Sequence, residues 1–384
     1  MKGSFKFQIM KKSYGVLAFL LILFPLFSNA QNNSVQTIAR INPPNPDPSG
    51  IAVSSDDRVF LGFPRHADNH KEFALAELKK GNLIPWPNKD FIYPSSKPYN
   101  DWLVSPHGIY MDKNDVLWIL DDGKRSGIDE IPEGAAKVVG IDIKTKKILH
   151  SVIIPKPILR DTAHYNDLRV DLSHGKSGTV YIANSGFGED FSLVVIDVET
   201  GKVKEVLRNH FSTSPEPGFM AFLEGDPRVM KGDEKSFPNG GADGISISPD
   251  EKTVYWTTIS GRNLYSLPTS ILSDFSKSEK EVEDAVKFEG QHSACDGLAE
   301  DEEGNIYFGA FEQQSIVERL PNQNIYRLVS HDKEHYVWPD GLAYRNGFVY
   351  VTLGQWNRLP GFNGEKDLRK PPYKVMKIKV NETK

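Results

Sequence analysis

The residues predict an all-β chain closed into a single six-bladed β-propeller, and three observations carry that expectation: a phrase repeated six times, the spacing of its copies, and the composition. The fullest copy is residues 243–267. It opens on Asp243-Gly244, alternates through Ile245 and Ile247, turns at Pro249-Asp250 and enters a β-branched and aromatic run at 254–258 before a third strand at 263–267. Period-two alternation buries one face of each strand, and Pro-Asp and Ser-Gly supply the turns between them. The other copies open at Ser49-Gly50, His107-Gly108, Asn166-Asp167, Asp296-Gly297 and Asp340-Gly341. A spacing of about 60 residues per copy suits four strands and their loops in a propeller blade. The 31 glycines and 25 prolines, without a long helical pattern, agree with many short strands.

In chain order, residues 1–30 read as a secretory signal: Lys2, Lys6, Lys11 and Lys12 precede an apolar run at 16–27 and the small-residue sequence Ser28-Asn29-Ala30. That run is short of the roughly 20 residues that cross a bilayer, so the expected product is secreted or periplasmic and leaves the membrane after cleavage. Residues 31–384 are then the propeller. The first blade takes strands at 50–54, 59–63, 73–78 and 83–86, the second at 108–112, 116–121, 137–143 and 148–154. The third takes 168–171, 180–184, 193–198 and 202–207, the fifth 298–300, 306–311, 316–320 and 325–329. The sixth runs out of chain after three strands, the last at 374–380. Its missing fourth is expected from the alternating segment 35–41, because such pairing closes the ring and removes an exposed strand edge. Two insertions, 209–241 and 355–372, read as loops without strand pattern, which serve as functional lids or mobile surface. The apolar sequence Phe219-Met220-Ala221-Phe222-Leu223 predicts that the first packs on something.

With 46 basic and 51 acidic residues scattered along the chain, the net charge of −5 gives no reason to expect nucleic acid or an anionic membrane as partner. Cys295 is the single cysteine and is expected to be buried filler. The sequence has no Gly-x-Ser-x-Gly elbow, Cys-x-x-Cys pair, His-Glu-x-x-His helix or phosphate-binding glycine loop, so serine catalysis and an organic cofactor lack support.

The chemistry collects on the repeat. The first strand of each blade lines a propeller's axis, so the residue before each strand start falls on a ring at one channel mouth. That ring would hold Ser49, His107, Asn166, Asp243, Asp296 and Asp340. Three carboxylates, an amide and an imidazole on a narrow mouth can bind a hard cation or an amine. Short polar residues before glycine also satisfy turns, but six on one ring favour a ligand site. Trp338 and Phe187 are candidate aromatic walls for a cationic small molecule. Asp161, His164 and Tyr165 are weaker candidates, and Asp121 and Asp122 before Gly123 read as a turn.

The phrases at 116–123 (Val-Leu-Trp-Ile-Leu-Asp-Asp-Gly), 165–171 (Tyr-Asn-Asp-Leu-Arg-Val-Asp) and 262–269 (Arg-Asn-Leu-Tyr-Ser-Leu-Pro-Thr) resemble those of the Yellow and major royal jelly protein family. The resemblance covers roughly residues 40–380. It implies a secreted six-bladed propeller whose members include binders of biogenic amines and proteins linked to dopachrome conversion. The paired cysteines of the insect members are missing here. A more distant resemblance is to the gluconolactonase and regucalcin family, where a divalent metal sits at one end of the channel. Asn166, Asp243 and Asp296 match its metal positions, implying Ca²⁺ or another divalent cation, while Ser49 stands where that family has a first-blade carboxylate. Two functions follow as expectations. One is an exported binder of a small organic molecule, an amine or an aromatic; the other is a metal-dependent lactone hydrolase or dopachrome-type isomerase.

Overall fold

The computed structural model describes residues 35–229, 237, 239–321 and 323–380. The segment read as a signal, residues 1–30, lies outside them. Six four-stranded antiparallel sheets follow one another along the chain. Their innermost strands are Ile51–Val53, Pro106–Met111, Tyr165–Asp171, Ala242–Ile247, Leu298–Glu300 and Pro339–Arg345, and each blade then steps outward. Among the described residues, no helix is long and apolar enough to cross a membrane.

The expected closure is present. Val35–Ile41 pairs antiparallel with Tyr373–Lys379 as the outer strand of the sixth blade, from Val35 opposite Ile378 to Ile41 opposite Tyr373. Ala39 and Ile41 turn into the core, while Val35 to Thr37 stay exposed. Between the blades lie continuous apolar layers in which Phe60, Trp86, Trp118 and Trp256 are fully buried. In the fourth blade the third and fourth strands, Asn263–Pro268 and Lys287–Gln291, are separated by two short helices, Thr269–Leu272 and Glu279–Asp284. Ser278 and Glu281 form a reciprocal capping box at the start of the second.

Ser49 and Asp296 precede their inner strands as expected, whereas His107, Asn166, Asp243 and Asp340 lie inside theirs. The strands reach back through them by a β-bulge: register shifts fall between Pro106 and Ile109, Tyr165 and Leu168, Ala242 and Ile245, and Pro339 and Leu342. Each interval contains a ring residue and its successor, and a bulge bends the strand and re-aims a side chain. The glycines have a separate cause. A Cβ on Gly50 would stand 2.4 Å from the carbonyl oxygen of His107, on Gly244 2.3 Å from that of Asp296, on Gly297 2.1 Å from that of Asp340, and on Gly341 2.3 Å from that of Ser49. Each glycine therefore lets the next blade's ring residue approach the axis, and any side chain there would push the blades apart.

Among the described residues, each insertion carries regular structure, so neither is a plain loop. The first contains a hairpin, Met220–Leu223 against Asp226–Val229, with Ala221 and Leu223 buried and Met220 and Phe222 exposed. The second contains the 3₁₀ turns Trp356–Arg358 and Pro360–Phe362. They hold each other: Glu224 accepts from Asn357 Nδ2 at 2.9 Å and from Arg358 Nε at 2.8 Å and Nη2 at 2.6 Å.

Candidate functional site

The paired insertions roof a cavity of about 540 Å³ over one channel mouth. Five of the six ring residues, His107, Asn166, Asp243, Asp296 and Asp340, line it, together with both predicted aromatic residues, Trp338 and Phe187. The sixth, Ser49, lies below, lining a residual void of about 20 Å³ with His107, Asn166, Asp296 and Asp340.

The floor is acidic and dry. Asn166 Nδ2 donates to Asp243 Oδ2 at 2.9 Å, and Trp338 Nε1 donates to Asp296 Oδ2 at 2.6 Å. Burial lifts the Asp296 carboxyl to about 6. Burial and the neighbouring charge of Asp296 hold Asp243 and Asp340 well above the ordinary carboxylate range. Carboxyls crowded in this way resist ionising together, and a positive charge among them relieves the cost.

The walls are aromatic. Trp338 stacks on Phe311 at 4.5 Å between centroids and 5° between planes, and Phe237 lies at 5.8 Å from Phe311. Phe237, Trp356, Leu359 and Phe362 belong to the cavity lining, so the insertions contribute roof and wall together. Phe187, 44% exposed, stands at the rim.

On the side of blades one to three, three imidazoles meet. The ring centroids of His66, His107 and His164 are 4.9 to 5.0 Å apart, and one ligating atom from each lies within 4.8 Å of the others. His66 comes from the loop after Val59–Gly62, stacked on Trp356 at 5.3 Å. Its neighbour Arg65 fixes that loop: the buried guanidinium donates to the carbonyls of His70, Glu72, Ile92, Leu103 and Val104. His107 Nδ1 donates to the Asn166 carbonyl at 2.9 Å, and His164 Nδ1 lies 3.2 Å from Asp122 Oδ2. Burial depresses all three, His66 well below its ordinary value, His107 to about 4 and His164 to about 3. Burial also lifts Asp122 to about 7. The pair Asp121-Asp122, read as a turn, therefore does more. Asp121 accepts from the backbone of Val104 and Ser105 and from the fully buried Lys137, each at 2.7 Å, which fixes Asp122 against His164.

Toward the opposite end of the channel, where the inner strands line a second cavity of about 230 Å³, side chains bridge blades three, four and five. In the third blade Asp167 replaces the repeat's glycine and accepts from Arg169 Nη1 at 3.0 Å. Arg169 reaches across to the Leu298 carbonyl at 2.5 Å and to Glu300 at 3.3 Å, and Ser246 Oγ adds a bond to Glu300 at 2.7 Å.

The family model described as "Major royal jelly protein" matches residues 104–383. The chain belongs to the major royal jelly protein family. Among its relatives, major royal jelly protein 3 of Apis mellifera is 25% identical over 248 residues, covering 59% of this chain and 42% of that one. Major royal jelly protein 2 of the same organism is 26% identical over 259 residues, covering 62% and 54%. The chain thus spans about half the length of these curated relatives. Among solved structures, a gluconolactonase from Xanthomonas campestris has a TM-score of 0.50 at 10% identity over 91% of this chain and 90% of its own. A luciferin-regenerating enzyme has the same TM-score at 12% identity over 91% and 97%. At such identities the likeness is one of fold. In this member of the major royal jelly protein family the single cysteine, Cys295, is fully buried against Leu264, Leu298 and Phe308, and burial raises its thiol well above the ordinary range, as filler requires.

Of the weaker candidates, Tyr165 is fully buried in the layer between blades, and Asp161 accepts from the Ile131 backbone at 2.9 Å. Sequence reasoning missed His66, which occupies no position of the repeat, and the roof residues Phe237, Trp356, Leu359 and Phe362, which lie in the insertions.

Proposed function

We propose that this protein is an exported member of its family that binds a small organic cation, an aromatic amine, in the roofed cavity. One observation carries the reading: three buried carboxylates, Asp243, Asp296 and Asp340, converge on the floor of an aromatic-walled cavity of about 540 Å³. The volume is within the usual range for a small-molecule site, and apolar walls with few convergent polar groups are its usual lining. An ammonium among the carboxyls would offset their crowding, while Trp338 and its neighbours offer ring faces, each worth about 0.5–2 kcal/mol to a cation.

Calorimetric titration with tyramine tests this. Saturable one-to-one binding, lost in Asp243→Asn and weakened in Trp338→Ala, is the expected outcome. Absence of saturable heat with aromatic amines up to millimolar concentration would sink the reading.

A second reading keeps a divalent cation such as Ca²⁺ on Asn166, Asp243 and Asp296, polarising a lactone or ketone oxygen. What favours it is the neighbouring carboxyl of Asp340, outside that ligand set but close enough to feel the charge of Asp296, which would move the proton. Against it stand the small number of oxygen donors, with the hydroxyl of Ser49 in the first-blade place, for an ion that takes six to eight. Ca²⁺ binding abolished by Asp243→Ala, with lactone turnover, would select this reading.

A further inference from the structure

We propose that His66, His107 and His164 form a mononuclear site for a transition-metal dication of the zinc class, with its open coordination position facing the roofed cavity. This site is separate from the carboxylate floor and does not depend on the amine reading.

The geometry argues for it in three ways. The ligating atoms already lie within 4.8 Å of one another, and Zn–N bonds of about 2.0–2.1 Å would require each ring to shift inward by only about 1 Å. Second, the outer nitrogen of His107 is already engaged: donation from its Nδ1 to the Asn166 carbonyl leaves Nε2 as its free lone pair. For His164, Nδ1 lies 3.2 Å from Asp122 Oδ2 without a hydrogen bond between them, and a small turn of the ring onto a metal would complete the carboxylate–histidine arrangement that orients a ligating ring. Third, His66 Nδ1 is buried and has no hydrogen-bond partner, a cost that a bound ion would remove.

Neutral imidazole is the ligating form, as for any histidine that holds a metal. A donor set of three imidazoles selects zinc, cobalt, nickel or copper over calcium or magnesium. Three protein ligands leave a fourth position for water or an oxygen atom of a small molecule in the cavity.

The test uses the purified, chelator-treated protein titrated with Zn²⁺, and with Co²⁺ as a spectroscopic probe. One equivalent bound per chain with low-micromolar or tighter affinity, and the visible absorption of four-coordinate cobalt, are expected. His66→Gln, His107→Gln and His164→Gln should each weaken binding at least about tenfold, with thermal unfolding of the metal-free proteins unchanged. Asp122 is a positioning residue: Asp122→Asn should lower metal affinity about 10- to 100-fold at unchanged stability. Absence of tight Zn²⁺ binding by the unsubstituted protein overturns the proposal whatever the variants do. So does Zn²⁺ binding that survives His164→Gln but is lost in Asp243→Asn. Failure here leaves tyramine binding to the metal-free protein untouched, and failure of tyramine binding leaves the cobalt spectrum untouched.

Discussion

If an ammonium group is held by the acidic floor, its affinity must follow the ionisation of that floor. Asp296 titrates at about 6, so about 97% of it is charged at pH 7.5 and about a tenth at pH 5. Burial and the charge of Asp296 raise Asp243 and Asp340 as well, and their ionisation acts in the same direction. A ligand that recognises the charged form of Asp296 should therefore lose about tenfold in affinity between pH 7.5 and 5, or about 1.4 kcal/mol. The direction is fixed by the raised carboxyls: affinity rises with pH through 6. His107 and His164, at about 4 and 3, do not titrate in this window. Tyramine titrations across the interval measure the slope, and Asp296→Asn should flatten it as well as weaken binding. A slope unchanged in Asp296→Asn, or an affinity that rises as pH falls, would refute the electrostatic argument for the floor.

Three further outcomes concern the scaffold. Lys137→Met leaves Asp121 charged and buried without its ion pair, which should cost about 3–5 kcal/mol in urea unfolding, with a smaller loss in Lys137→Met combined with Asp121→Asn. Gly297→Ala drives a methyl into the Asp340 carbonyl, 2.1 Å away, and should destabilise by about 1–3 kcal/mol while weakening tyramine binding; near-neutral stability would show that the axis can dilate. His292, buried against Phe308 and depressed to about 4 by that burial, stays neutral in the folded protein while the unfolded chain takes up its proton near 6.5. Its contribution is present above 6.5 and lost as pH falls towards 4, about 3 kcal/mol in all, and His292→Gln should remove that part of the pH dependence of urea stability.

The ring was legible because a repeat writes the same constraint several times. Polar residue then glycine marks both a bulge that aims a side chain at the axis and a close approach that forbids a Cβ, so five of the six predicted positions reach the cavity. The bulge itself could not be read, since a register shift leaves no residue of its own, and the strand starts came out two or three residues late in blades two and three. Ser278 and Glu281 did carry a helix signal in their three-residue spacing, overlooked in a chain read as strands throughout. The alternation around Ala221 and Leu223 likewise announced a strand within an insertion. His66 had no comparable signal. Its place follows from Arg65, whose bonds to five carbonyls are visible only once distant segments have met.

The bridge from Arg169 to Leu298 and Glu300 crosses from the inner strand of blade three to that of blade five. If that bridge closes the axis to the proposed amine, a molecule that enters beneath Trp356 and Phe362 leaves the same way, and its residence time depends on how often the clasp of Glu224 on Asn357 and Arg358 lets go. Occupancy is then one guest at a time: a second molecule waits for the first to depart instead of pushing it through.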